Sequence, residues 1–218
     1  MVERQLAARD IVDPRVLDAM RSVPRECFVP ESLRHHAYAD RPLPIEAGQT
    51  ISQPYIVALM IEAAALGPGD RALEVGAGSG YATAVMSRLA REVIGIERHR
   101  VLADSAAERL RRLGCRNAEV LCADGSAGCP DRAPFDAILV AASGPRVPEA
   151  LVAQLAPGGR LVMPVGGEQF AQQLVKVTRR ANDELDEEDL GGVAFVPLIG
   201  TQGWPDRTAP DDDTDRAA

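Results

Sequence analysis

The stretch Leu73-Glu74-Val75-Gly76-Ala77-Gly78-Ser79-Gly80-Tyr81 constrains this chain more than any other. An apolar run that ends in a carboxylate and breaks into three alternating glycines predicts a strand turning sharply into a helix, because glycine accepts positive φ without steric cost. Backbone amides in such a turn approach a bound molecule closely, and the following helix adds unpaired N–H groups and a positive dipole end. The spacing discriminates between ligands. A dinucleotide fingerprint, G-x-G-x-x-G, would need glycine at position 81, where this chain has Tyr81. A plain turn is the alternative, and a second acid weighs against it. Val93-Ile94-Gly95-Ile96-Glu97 is a short apolar segment ending in a carboxylate 17 residues beyond Gly80, with room for one helix between them. A carboxylate at the tip of a second strand is placed to accept hydrogen bonds from both hydroxyls of a ribose.

With 218 residues and 46% hydrophobic content the chain can bury one good core, and a single α/β domain is the expectation. The formal charge of -8 argues against a nucleic-acid phosphate footprint as the main partner, although charge alone does not exclude an RNA substrate. Four cysteines (Cys27, Cys115, Cys122, Cys129) form no C-x-x-C pair and only three histidines are present, so zinc-ligand spacing is absent and no metal is expected. Idle thiols fit a reducing compartment. No basic-then-apolar leader opens the chain, and the longest apolar stretch, Tyr55 to Leu66, is broken by Glu62 and too short to span a bilayer. The expectation is a monomeric cytoplasmic protein with neither membrane nor nucleic acid as partner.

Residues 1–50 do not read as part of the nucleotide sheet and are taken as an N-terminal helical cap. Asp13-Pro14 is a helix-start signal, Pro24 and Pro30 break the helices that follow, and Tyr38 to Gln49 reads as an irregular loop. Thr50-Ile51-Ser52-Gln53-Pro54 then leads into an apolar helix, with Ser52 or Gln53 at its cap. The concrete alternative to a functional Ser52 is therefore an N-cap serine whose oxygen satisfies backbone amides. Residues 51–207 form the main domain. Strands Ala72 to Val75, Val93 to Glu97, Ala118 to Leu121 and Phe135 to Val140 alternate with helices Tyr81 to Leu89, Val101 to Leu113 and Val147 to Leu155, which predicts a doubly wound, mostly parallel sheet. Asp124-Gly125 ends the third strand, in register for a base if a nucleotide lies across the first three strands; alone, Asp-Gly is more often a turn. After Arg160 to Val165, strands Gln172 to Arg179 and Val193 to Leu198 predict an antiparallel closing pair, with the acidic run Glu184 to Asp189 as a solvated loop between them. Residues 208–218 read as a disordered acidic tail.

The G-x-G-x-G turn with an acid before it resembles the first motif of class I S-adenosylmethionine-dependent methyltransferases. Further residues sharpen the resemblance: Val23-Pro24-Arg25-Glu26-Cys27-Phe28-Val29-Pro30, Ala37-Tyr38-Ala39-Asp40, Gly48 through Tyr55, Ala133-Pro134-Phe135-Asp136, Gly158 through Gly166 and Phe195-Val196-Pro197-Leu198. Together they make residues 1–200 similar to bacterial protein-L-isoaspartate O-methyltransferases. The resemblance implies a seven-stranded Rossmann-like sheet, S-adenosylmethionine as cofactor, and damaged proteins or peptides containing L-isoaspartate as partners. It implies methyl transfer to the isoaspartyl α-carboxylate, followed by collapse to a succinimide that can reopen to aspartate. By the same resemblance Ser52 is the active-site hydroxyl and Thr50 joins it on the substrate side; Glu74, Gly76 and Gly78 hold the cofactor's amino-acid end. Glu97 takes the ribose, Asp124 and Gly125 the adenine, and Gln53 lines the cofactor pocket. Thr201 and Gln202 do not align cleanly and receive no role. Two rivals stay open: a relative that methylates normal aspartate in a dedicated peptide, and a cofactor-binding adaptor, against which the intact Thr50-Ile51-Ser52 argues. A third, a dinucleotide oxidoreductase, fails on Tyr81 and on the lack of an obvious hydride-transfer acid or base.

Overall fold

The computed structural model describes residues 1–168 and 171–206. The chain opens on a single π-type turn, Val2–Leu6, followed by helix α1 (Pro14–Ser22), where the Asp13 carboxylate accepts the Arg15 N–H at 2.8 Å and Pro14 fills the first turn. Two 3-10 turns, Arg25–Phe28 and Glu31–His36, lead to a two-stranded hairpin of β1 (Leu43–Pro44) and β2 (Thr50–Ile51). That hairpin delivers Thr50 to Gln53 to the start of α2 (Pro54–Ala64), which buries Tyr55, Val57, Ala58, Met60, Ile61 and Ala64. A helix apolar on nearly every side has to be covered on nearly every side. Here α1 and the opening turn lie on one flank and the sheet on the other.

The sheet follows from the βα rhythm. After β3 (Arg71–Val75) come α3 (Tyr81–Met86), β4 (Glu92–Glu97), α4 (Arg100–Arg112), β5 (Ala118–Cys122), β6 (Phe135–Val140), α5 (Glu149–Ala153), β7 (Leu155–Gly166), β8 (Gln172–Arg179) and β9 (Leu185–Val193). These seven strands are ordered β5-β4-β3-β6-β7-β8-β9, parallel through β7 and antiparallel from β7 to β9. Side-chain alternation sorts them into two cores. Leu73, Val75, Ile94, Ile96, Ile138 and Val140 face the α5 side, whereas Ala72, Val93, Ala137 and Leu139 face α2, α3 and the N-terminal residues. Because β3 is flanked by β4 on one side and β6 on the other, the chain reverses its winding there, and a crevice opens at the carboxyl ends of the strands.

Several expectations are corrected. The acidic run is not a loop: Leu185–Val193 is the edge strand β9, whose outward charges find cross-strand partners in Lys176–Glu188 (3.3 Å) and Arg180–Asp186 (2.5 Å). The hairpin turn that precedes it uses Asp183 at φ 66°. Val193 to Leu198, expected as a strand, leaves the sheet after Val193 and makes only an isolated bridge through Pro197 to Ser143. The helix expected over Val147 to Leu155 contracts to Glu149–Ala153, because Gln154 turns out of it and its carbonyl accepts the Phe135 N–H at 2.8 Å. Pro157-Gly158-Gly159 is then absorbed into β7 as an irregularity, with Gly158 at φ +80° and a register shift against β6. The helix after the glycine turn stops at Met86 rather than Leu89. Residues 208–218 lie outside the described residues.

Candidate active site

The glycine turn takes the conformation that its composition requires. Gly76, Gly78 and Gly80 sit at φ +83°, +54° and +86°, a region costly for any residue with a Cβ. Three of its amides are tied to the neighbouring strand. Gly76 and Ala77 donate to the Ile96 carbonyl at 2.8 and 3.0 Å, and Gly78 donates to Glu97 Oε2 at 2.9 Å. The other oxygen of Glu97 accepts the His99 N–H at 2.9 Å. Glu97 is thus fastened at the tip of β4 with its remaining lone pairs free for hydroxyl donors. Glu74 shares the face of Ala72, under α3, and is 2% exposed; Thr83 donates its hydroxyl to it. Burial pushes the Glu74 carboxyl up to about 8, opposed by the Thr83 hydrogen bond and aided by the nearby Glu97 charge.

Three adjoining cavities meet above this turn, and Thr50 and Ala141 line all of them. The innermost, about 50 Å³, is bounded by Ser52, Glu74, Gly76 and Tyr81. A second, about 290 Å³, runs over Gly78, Glu97 and Gly125 and is roofed by Val196 to Ile199. The third is an outer groove of about 840 Å³ between Pro42, Ile56, Gln173 and Phe195. Ser52 belongs to the innermost cavity and to the outer groove, and so stands where the two join. It is not a helix cap: Gln53 holds the N-cap position of α2, with no side-chain capping bond. The Ser52 hydroxyl is therefore not committed to backbone amides of α2.

The residues singled out in the sequence fall into place unevenly. Thr50, Ser52, Glu74, Gly76, Gly78, Glu97 and Gly125 all line one or more of the three cavities. Gln53 lines only the outer groove. Gly125 passes so close to β3 that a Cβ there would lie 2.5 Å from Val75 Cγ1, so only glycine leaves the backbone in this position. The Asp124 carboxylate is occupied within the protein: Oδ1 accepts from Ser126 N and Oγ at 2.9 and 2.7 Å, and Oδ2 from Thr201 N and Oγ1 at 2.8 and 3.0 Å. Burial alone would raise its pKa, but the Thr201 and Ser126 hydrogen bonds outweigh it and hold the carboxyl below its usual range. Gln202 donates its N–H to Ser126 Oγ at 3.0 Å and accepts the Ala150 N–H at 3.1 Å. Residues that sequence reasoning gave no role are Tyr81, Ala141 and the roofing segment Val196 to Ile199. Within that segment Val196-Pro197-Leu198 carried a signal only as part of the resemblance.

Comparisons with known proteins match nearly the whole chain. The family described as protein-L-isoaspartate(D-aspartate) O-methyltransferase (PCMT) matches residues 1–203. A protein-L-isoaspartate O-methyltransferase of Rhodopseudomonas palustris (strain ATCC BAA-98 / CGA009) is 58% identical over 204 residues, covering 94% of each chain. One from Methylorubrum extorquens (strain PA1) is 58% identical over 206 residues, covering 94% of this chain and 90% of the relative. Among solved structures, a Plasmodium falciparum protein-L-isoaspartate O-methyltransferase in complex with S-adenosyl-L-homocysteine superposes with a TM-score of 0.79 at 31% identity, covering 91% of this chain and 96% of that one. A second solved protein-L-isoaspartate O-methyltransferase gives a TM-score of 0.83 at 30% identity, covering 93% of this chain and 67% of that one.

Proposed function

The chain belongs to the protein-L-isoaspartate(D-aspartate) O-methyltransferase family, and from that premise we propose that it repairs damaged proteins by methylating the α-carboxylate of L-isoaspartyl residues at Ser52. The ester so formed collapses to a succinimide that can reopen to aspartate. S-adenosylmethionine, when bound, supplies the electrophilic methyl group. The residues present fit that molecule. Glu97 keeps free lone pairs for ribose hydroxyls, the glycine at 125 leaves backbone beside the 290 Å³ cavity, and the innermost cavity adds the buried carboxyl of Glu74. The observation that carries the reading is the position of Ser52, shared between that inner cavity and the outer groove.

The chemistry asks little of the protein beyond placement. A substrate carboxylate is already ionised near neutral pH, so no general base is required. The hydroxyls of Thr50 and Ser52 can donate to it and hold one oxygen in line, which is where positioning lowers a barrier. Gln53 and Pro42 flank the groove that would take the peptide, residues 1–50 serve as the cap on that side, and the described part of the main domain, from residue 51 to 206, carries the cofactor. Gly125 takes the adenine end, and Asp124 acts there by holding the segment that roofs it. No helix among the described residues is long and apolar enough to cross a membrane. All four cysteines are free thiols, which supports a reducing compartment, and the working unit of this reading is a cytoplasmic monomer.

The test is methyl transfer from labelled S-adenosylmethionine to two peptides that differ only in L-isoaspartate or L-aspartate at one position. Labelling of the isoaspartyl peptide alone is expected; labelling of the aspartyl peptide would move the reading to a dedicated peptide substrate. Ser52→Ala should lower kcat on the order of 100-fold, the loss that misplacement of a reacting group produces, with S-adenosylhomocysteine affinity nearly unchanged. An equal loss of cofactor affinity would mark Ser52 as structural.

A further inference from the structure

Arg25 is the one fully buried arginine among the described residues, at 0% exposure, and it makes no ion pair with a carboxylate there. Burying an unpaired guanidinium is expensive, and an apolar residue of similar volume would fill the same space at lower cost. What it holds is therefore informative. Nη2 donates to the Ser52 carbonyl at 2.6 Å, and Nε donates to the Ala37 carbonyl at 2.8 Å. Its Cζ lies 4.6 Å from the centre of the Tyr81 ring, which lines the innermost cavity. Nη1 is buried without a protein acceptor. One planar fork thus joins three separate pieces: the loop at Ala37, the peptide of Ser52, and the first residue of the helix after the glycine turn.

Ser52 needs such a clamp. It lies between the two-residue strand β2 and the proline that opens α2, outside regular hydrogen bonding on both sides. With its carbonyl held by Nη2, the Ser52–Gln53 peptide is restrained, and with it the Ser52 Cα that lies in its plane and from which the side chain projects. Resting on the reading that Ser52 is the methyl-transfer hydroxyl, we propose that Arg25 is a positioning residue for the reaction, acting through the Ser52 carbonyl. Lysine cannot replace it fully, since a single ammonium cannot span both carbonyls in the geometry of a planar fork.

The experiment is a double-mutant cycle between Arg25→Met and Ser52→Ala, reading kcat with an isoaspartyl peptide and S-adenosylhomocysteine affinity by calorimetry. Arg25→Met alone should lower kcat about 10- to 100-fold while cofactor affinity stays within about threefold, and Arg25→Lys should recover part of the loss. In the Ser52→Ala background the same change should cost less than about threefold, because the hydroxyl it positions is gone. Losses that multiply in the double variant, or wild-type kcat in Arg25→Met, overturn the proposal. A Ser52→Ala protein with wild-type kcat instead overturns the role of Ser52, and this proposal with it. If Arg25→Met does not fold, the same cycle is run with Arg25→Lys, and the same pair of outcomes, losses that multiply or losses that do not, decides it.

Discussion

Glu74 and Glu97 close neighbouring parallel strands, yet their surroundings hold them in different ways. Glu97 receives two backbone N–H groups, whereas Glu74 lies under α3 with one hydroxyl donor. Burial keeps the Glu74 proton on until about pH 8 in the folded chain, against an ordinary value of 4.5. The native state therefore binds more protons than the unfolded one between those values, so stability contributed by this group is complete below about 4.5 and is lost as pH rises through about 8. Glu74→Gln should remove that slope. Unfolding of the ligand-free protein by urea, repeated across this pH window, should show wild type weakening towards alkaline pH relative to the variant; parallel profiles would mean that Glu74 is ionised throughout. Both acids were legible as strand ends. Their difference was not, because it depends on which face of β3 the N-terminal residues and α3 cover. From its local pattern Ser52 was one of two candidates for a cap, and only the resemblance gave it a catalytic role; the cap position went to Gln53.

At the scale of elements, the alternation of apolar runs with helical spacing revealed the parallel half of the sheet, since buried strands must be apolar on both faces. The antiparallel end was less legible. An edge strand needs no apolar outer face and tolerates charge, so Leu185–Val193 looks like a loop until Lys176 and Arg180 are seen across from it. The glycine turn fixes one element against another in a way that can be tested. At Gly80, φ is +86° and a Cβ would lie 3.0 Å from Ala106 Cβ on α4, so a side chain is both strained and crowded. Gly80→Ala should destabilise the protein by about 1–3 kcal/mol and weaken S-adenosylhomocysteine binding, as α4 and the turn move apart. Gly69→Ala, with open space around its Cβ and no positive φ, is the control and should change stability by less than about 0.5 kcal/mol. Equal effects at the two positions would show that the approach of α4 to the turn carries no energy.

Across the whole molecule, the segment from Val196 to Asp206 closes the crevice by returning over strands it does not pair with. Leu198 N–H and Trp204 Nε1 both donate to the Ser143 carbonyl, at 2.8 and 3.0 Å, and Asp206 pairs with Arg98. Thr201 and Gln202 meet Asp124 and Ser126, partners more than 70 residues away, which is why no local pattern could assign them. The roof over the 290 Å³ cavity is thus anchored at Ser143 on one side and at Asp124 on the other. The Asp124 carboxyl is held below its usual range once the Thr201 and Ser126 bonds overcome burial. Its contribution is present above the unfolded value of 3.8 and is lost as pH falls through the lower folded value. Asp124→Asn removes the charge from both sets of bonds, and charge-assisted bonds are the stronger ones. Amide exchange at residues 198–204 should then speed up by about tenfold, with S-adenosylhomocysteine affinity falling by a similar factor while the core strands exchange as before. If affinity falls and exchange does not, Asp124 serves the cofactor directly and the roof is held by Ser143 and Trp204.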